Sequence, residues 1–200
     1  GRPKIIREIE RLTDGVLLAY LPGDQGGKVI ADIISGKINP SGKLPYTYPK
    51  YNGVIMHYDY KQSETINANT WENDFYNPQW NFGHGLSYTS FEYSNLNINK
   101  KVLKGNEELN VTVDVKNSGN TKGKEVIQLY IRDHYASISP PLKKLKRFAK
   151  IELNSNEKST IKFVLNKDDL KFYGIENNWM VEDGKFSVII DDLKEEFNFK

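Results

Sequence analysis

The sequence predicts an α+β chain whose two ends follow different rules. Residues 15–21, GVLLAYL, form a continuous apolar run, as a strand covered on both faces of a parallel sheet requires. Residues 109–115, LNVTVDV, instead alternate apolar and polar side chains, the period of a half-buried antiparallel strand. Residues 50–94 show neither period and are rich in aromatic, Asn and acidic residues. The expected organisation is a partial α/β layer over residues 1–49, an aromatic connector over 50–94 and an all-β sandwich over 95–200.

In the first part, Val29, Ile30, Ile33 and Ile34 share one face of a 3.6-residue period, which predicts a short amphipathic helix. Asp24 is placed to cap it and Gly36 to end it. Lys4, Ile5 and Ile6 form a short apolar run, and Ile9 with Leu12 suits a turn of helix. Two strands do not make an independent sheet, which needs three or more and a covered face. The missing strands are expected from upstream sequence or from another chain.

The connector carries Tyr51, His57, Tyr58, Tyr60, Trp71, Tyr76 and Trp80. Side chains of this kind gain from burial, so the segment is expected to be ordered and to pack over both domains. Phe82, Leu86, Tyr88 and Phe91 are expected to pin its far end. Beyond it, strands are predicted at residues 109–115, 126–131, 145–153, 160–165, 179–181, 186–190 and 197–199. Polar turns such as Asn117-Ser118-Gly119-Asn120 separate them. Short strands at this spacing imply an antiparallel immunoglobulin-like sandwich of about 100 residues.

Bulk properties narrow the function. The chain of 200 residues allows one or two domains, and 38% apolar content suffices for a core. A net charge of +2 does not suggest a nucleic-acid partner. With no cysteine, disulfides, zinc–thiolate sites and cysteine nucleophiles are excluded. No apolar run approaches the roughly 18 residues of a membrane span.

Several motifs, in order, carry a family resemblance. They are Gly1-Arg2-Pro3, residues 14–23 (DGVLLAYLPG), Gly26-Gly27, residues 39–45 (NPSGKLP), residues 81–91 (NFGHGLSYTSF), residues 125–130 (EVIQLY) and Gly184-Lys185-Phe186. The chain resembles the end of the second catalytic domain of family 3 glycoside hydrolases, followed by a fibronectin type III-like domain. The resemblance implies a partial α/β-sandwich tail before the β-sandwich. It implies that the complete enzyme is a retaining, β-glucosidase-like hydrolase of terminal β-linked sugars, working through a covalent glycosyl-enzyme intermediate with no metal or organic cofactor. Its partners would be an upstream (β/α)8 barrel and the rest of the α/β-sandwich domain, in the same or a companion chain, with an oligosaccharide as substrate. In that family the nucleophilic Asp lies in the barrel and the acid/base Glu lies upstream of this segment. No position here matches either, so no catalytic residue is expected and the chain alone is expected to be inactive. Gly1-Arg2-Pro3 looks like the middle of a motif, so the start reads as an internal cut, with a processed terminus or cloning scar as the alternative. The compartment is not legible; family habit suggests secretion or the periplasm.

The candidate substrate-binding residues are Trp71, Glu72, Asp74, Tyr76 and Trp80. Aromatic faces stack on the apolar faces of pyranose rings, and carboxylates accept hydrogen bonds from sugar hydroxyls. The competing reading is a connector whose aromatics pack on its own domains. A non-catalytic carbohydrate-binding or structural module is the alternative function, since sandwiches of this kind host unrelated roles.

Other motifs carry less. Gly36 and Gly42-Lys43 are superficially like a phosphate loop, but the spacing is one residue too long and Leu44 stands where Ser or Thr must ligate magnesium. Gly26-Gly27 suits close packing of a helix on its sheet, or an anion at the helix start. His57, His84 and His134 lack metal-ligand spacing; His84 reads as a packing residue and His134 as a solvated turn. No G-x-S-x-G elbow occurs. The basic run at residues 143–150 reads as a strand with its charges outward or guarding an edge, with binding of an acidic polymer as the alternative. Asn110-Val111-Thr112 is a glycosylation sequon in mid-strand, read as a chance occurrence.

Overall fold

The structure is a computed structural model describing residues 2–54, 56–61 and 76–200. It divides into two compact units, Gly1–Tyr58 with Glu64–Tyr88, and Asp59–Ser63 with Thr89–Lys200. Most of the regular structure is β-strand in sheets, and the helices are few and short. No helix is long and apolar enough to cross a membrane among the described residues.

The first unit holds helix α1 (Arg7–Glu10) and helix α2 (Gly26–Ile34). Gly36 ends α2 as expected. It takes a φ of 76°, and its N–H donates to Ile33 O at 2.9 Å. Asp24 does not cap the helix; Gln25 holds that position and makes no side-chain cap bond. Gly26 is packed against Pro22, where an added Cβ would lie 2.5 Å from the Pro22 Cβ. Its close packing is thus against a proline, not a sheet.

The expected strand at residues 15–21 is not a strand, nor does the apolar run at residues 4–6 form one. A strand exists only with a ladder partner, and neither run pairs with another described segment. Along residues 15–21 the apolar side chains stay partly open to solvent, with Leu21 84% exposed.

The second unit is built on two sheets sharing one core. Strands β1 (Phe91–Ile98), β3 (Leu109–Asn117) and β6 (Lys158–Leu165) form one sheet, in the order β1-β3-β6. The other combines β2 (Val102–Leu103), β4 (Gly123–Asp133), β5 (Lys144–Leu153), β9 (Gly184–Ile190) and β10 (Leu193–Phe199), in the order β2-β10-β9-β4-β5. All pairings in these sheets are antiparallel except β2 with β10. Between β6 and β9 the chain inserts helix α3 (Lys167–Leu170) and a two-stranded hairpin, β7 (Phe172–Tyr173) and β8 (Trp179–Met180).

The alternation read in residues 109–115 is the alternation found: Leu109, Val111, Val113 and Val115 are wholly buried. They meet Ile127, Leu129, Phe186, Val188, Ile190 and Phe197 from the opposite sheet in one cluster. Burying each such side chain contributes about 1.5–3 kcal/mol. Phe91, expected to pin the connector, opens β1 instead, and the two residues of β2 and the hairpin strand β7 add to the predicted set.

Buried polar groups tie the sandwich together. Asn117, expected in a turn, is the fully buried end of β3. Its Nδ2 donates to Thr121 O (2.8 Å) and Leu153 O (3.1 Å), while its Oδ1 accepts from Thr89 Oγ1 (2.6 Å) and Gly119 N (3.1 Å). Tyr93 on β1 donates to Glu125 Oε1 on β4 at 3.1 Å, and burial together with that carboxylate pushes its phenol well above the usual range. His134 is not a solvated turn. Its Nε2 lies 2.7 Å from the Oγ of Ser187, which is wholly buried. The basic run forms β5, at one edge of its sheet. Lys146 is the extra residue of a bulge opposite Leu129 and Tyr130, a device that discourages edge pairing. The Asn110 sequon lies in the central strand β3, between β1 and β6.

Candidate functional site

The first unit is organised by two segments that meet far apart in sequence, residues 39–48 and 76–88. Leu44 N donates to His84 O (2.8 Å) and Gly83 N to Leu44 O (2.8 Å). Further along, Tyr48 N donates to Trp80 O (2.8 Å) and Gln79 N to Tyr48 O (2.9 Å). Pro45 and Pro49 have no N–H to give, so the pairing remains an isolated bridge at Tyr48 and Trp80. Gly85 passes so close to Gly42 that a Cβ would overlap the Gly42 carbonyl oxygen. Lys43 Nζ donates to Gly85 O at 2.7 Å.

Asn39 completes the clasp. Its Oδ1 accepts from Ser87 Oγ and Tyr88 N, both at 2.9 Å, and Tyr88 OH donates to Ile33 O at the end of α2 (2.9 Å). Asn39, Gly42, Lys43 and Leu44 belong to one of the motifs that carry the family resemblance, and Gly83, His84, Gly85, Ser87 and Tyr88 to another. Their roles depend on a partner some 40 residues away, which no local period reveals. Leu86, expected to help pin the connector, is 78% exposed.

An aromatic row lies along the same crossing. Tyr46 stacks on Tyr48 (6.0 Å between centroids), Tyr48 meets Trp80 edge-on (5.1 Å), and Trp80 lies parallel to His84 (6.0 Å). Tyr48 is buried, its OH donating to Lys4 O at 2.8 Å. Tyr76 places its OH 3.5 Å from both Thr47 Oγ1 and Asn81 Oδ1. Tyr58 packs on Phe82 at 4.6 Å. Burial, and then the cation of Lys43, lowers the His84 pKa, so this imidazole favours the neutral form. Burial also raises the Tyr46 phenol, helped by Tyr20 and Tyr48.

Of the predicted contact residues, the structure brings Tyr76 and Trp80 together across Thr47 and Tyr48. Trp71, Glu72 and Asp74 lie outside the described residues. The chemistry of the described cluster is that of a shaped aromatic surface with hydroxyl and amide donors. It contains no pair of facing carboxylates, and no group of His, Asp and Glu among the described residues is arranged to hold a metal ion.

Among the described residues of the second unit are concavities that the sequence does not reveal. One, of about 250 Å³, is lined by Asp133, Lys144, Lys146, Asp169 and Phe186, among others. Burial raises the Asp133 carboxyl there and lowers the Lys146 ammonium. Another, of about 460 Å³, lies against Trp179. In the sequence, Trp179 is expected only as part of a strand.

Comparison with known proteins places these features. A family model described as the glycosyl hydrolase family 3 C-terminal domain matches residues 1–88, and one described as a fibronectin type III-like domain matches residues 125–193. The chain is similar to a thermostable beta-glucosidase B of Acetivibrio thermocellus, with 39% identity over 186 residues, covering 88% of this chain and 25% of that protein. A lysosomal beta glucosidase of Dictyostelium discoideum is 38% identical over 202 residues (95% and 24%). A putative beta-xylosidase of Formosa agariphila is 37% identical over 190 residues (94% and 25%). Among solved structures, a beta-glucosidase from Listeria innocua in complex with glucose superposes with a TM-score of 0.90 at 33% identity, over 99% of this chain and 29% of that one. The chain thus spans about a quarter of the length of these curated relatives.

Proposed function

We propose, from the premise that this chain belongs to the C-terminal region of glycosyl hydrolase family 3, that it completes a retaining β-glycosidase of the β-glucosidase type. In this reading residues 1–49 are the tail of an α/β-sandwich catalytic domain and residues 50–94 a connector. Residues 95–200 form a fibronectin type III-like sandwich of immunoglobulin type. The chain braces the catalytic domain, and Trp71, Glu72, Asp74, Tyr76 and Trp80 contribute to the substrate entrance. The substrate is an oligosaccharide with a terminal β-linked sugar.

The observation that carries this reading is the set of large apolar side chains the first unit leaves exposed. Leu12 is 87% exposed, Leu21 84% and Ile34 74%, with Val16, Leu17 and Val29 also exposed. This many large apolar side chains left open in one small unit suit a covering partner. The occupant the reading assigns is the preceding part of the same α/β layer, with the (β/α)8 barrel beyond it, in the same or a companion chain. That body supplies the two carboxylates, which a retaining enzyme sets about 5–5.5 Å apart as nucleophile and acid/base. No side chain of this chain is assigned either role.

The test is hydrolysis of p-nitrophenyl β-D-glucoside and β-D-xyloside by the 200-residue chain and by the polypeptide that includes its upstream region. No turnover is expected from the chain alone. The longer polypeptide is expected to release sugar first as the β-anomer, read by proton NMR. Release of the α-anomer first, or turnover by the chain alone, refutes the reading.

A further inference from the structure

In the second unit the β7–β8 hairpin sets Tyr173 directly opposite Trp179, with the rings edge-to-face at 5.6 Å and 77°. Trp179 remains 67% exposed. It is not a member of the hydrophobic core cluster. The hollow of about 460 Å³ beside it is walled by Asn106, Asp168, Lys171 and Met180 as well as by the indole. Two of these walls are charge-paired: Lys171 Nζ lies 2.7 Å from Asp168 Oδ1.

The ring is mounted on a fixed base. Asn166 and Asp169 close a capping box at the start of α3, and Leu170 is buried in the core. Arg147 on β5 grips Asp169 with two hydrogen bonds, Nη1 to Oδ1 (2.6 Å) and Nη2 to Oδ2 (2.8 Å). Gly174 lies so near Met180 that a Cβ would overlap its sulfur, and Gly174 N donates to Asn178 O at 2.9 Å across the turn. An exposed tryptophan that is held from several sides is organised for contact, because little freedom is left to lose on binding.

We infer that this hollow is a carbohydrate subsite, taking a neutral pyranose unit of a β-linked oligosaccharide on the Trp179 ring. The axial hydrogens of a β-gluco-configured ring form a flat apolar face that matches the indole, while its equatorial hydroxyls reach outward to the walls. Asp168 accepts a hydrogen bond from a sugar hydroxyl, Lys171 donates one, and the Asn106 amide does either. A wall whose ammonium and carboxylate already neutralise each other suits a ligand rich in dipoles and free of charge. Lys167 adds a second ammonium to the lining, so preference for a neutral sugar rests on stacking against Trp179 and is read directly by comparing neutral and acidic oligomers. The ligand class rests on the glycosidase reading; the geometry of the subsite does not. The subsite would hold a chain and raise its local concentration.

The test is isothermal titration of the 200-residue chain with cellopentaose, laminaripentaose and a galacturonic acid oligomer, alongside Trp179→Ala, Trp179→Phe and Asn106→Ala. Far-UV circular dichroism confirms that each variant is folded. Binding of a neutral pentaose is expected. It should weaken at least about tenfold in Trp179→Ala, since loss of a stacked ring is worth roughly 1.4 kcal/mol. Trp179→Phe should retain most of it, and Asn106→Ala should weaken it by a smaller factor. Equal binding by Trp179→Ala, tighter binding of the acidic oligomer, or no binding of either neutral pentaose overturns the subsite. Those outcomes leave the glycosidase reading intact, because that reading stands or falls on hydrolysis by the longer polypeptide, with no contribution from this hollow.

Discussion

Arg147→Ala tests how the hairpin insertion is held to the sandwich. The substitution removes both hydrogen bonds from Arg147 to Asp169 and leaves that carboxylate with the Asn166 N–H, at 2.9 Å from Oδ2. The Asp169 side chain is only 10% exposed, whereas that of Arg147 is 38% exposed. Breaking a buried ion pair costs about 3–5 kcal/mol, and an exposed pair contributes about 0–1 kcal/mol. This half-screened pair falls between, so Arg147→Ala should cost about 2 kcal/mol. Asp169→Ala also opens the capping box, adding about 1 kcal/mol for a total of about 3. The double variant should cost about 3 kcal/mol, short of the additive 5, because the interaction is already gone in either single variant. Urea denaturation followed by far-UV circular dichroism measures all three. The melting temperature of Arg147→Ala should fall by about 8 °C, at about 4 °C per kcal/mol. A coupling energy below about 0.5 kcal/mol would refute the reasoning and leave α3 anchored by Leu170 alone.

Gly85→Ala should destabilise the first unit by about 2 kcal/mol, since the methyl would overlap the Gly42 carbonyl oxygen. Gly27→Ala, in open space on helix α2, should be neutral or stabilising by up to about 1 kcal/mol; equal losses in the two would count against the close crossing. Lys43→Met should move the His84 pKa back toward its ordinary value, read by NMR titration, because the lysine is the second cause of the depression after burial; an unmoved pKa removes that role. His134 is lowered by burial first and then by Arg132, Lys194 and Lys185. A histidine depressed in the folded state takes up its proton more readily when unfolded, so stability is held above the unfolded pKa of about 6.5 and lost as pH falls toward the folded value. The melting temperature should therefore drop between about pH 7.5 and pH 5, and His134→Asn should flatten part of that slope; an unchanged slope would contradict it.

The sandwich was legible because its signals are local. The strict alternation in residues 109–115 became β3 with its apolar side buried, and the strands read at 126–131, 145–153, 160–165 and 186–190 each lie within an observed strand. Helix α3 escaped notice although Asn166 and Asp169 have the spacing of a capping box. Of the predicted contact residues, Tyr76 and Trp80 do meet around Thr47 and Tyr48. The spacing that brings them together comes from residues 44–48, not from the connector itself. His134 was misread for a similar reason, since its partner Ser187 is 53 residues away.

The order of residues by itself determined which segments alternate, where α2 ends at Gly36, and which motifs mark the chain as the C-terminal region of its family. Each of these is written within a few neighbouring residues, or in motifs recognised one at a time. Only the tertiary structure decided that residues 15–21 are not a strand, that Gly85 must pass over Gly42, and that Asn106, Asp168 and Trp179 surround one hollow. A ladder partner, a close backbone approach and a shared cavity are properties of two or more distant segments at once. Burial and hydrogen bonding select among such pairings only when the whole chain is folded.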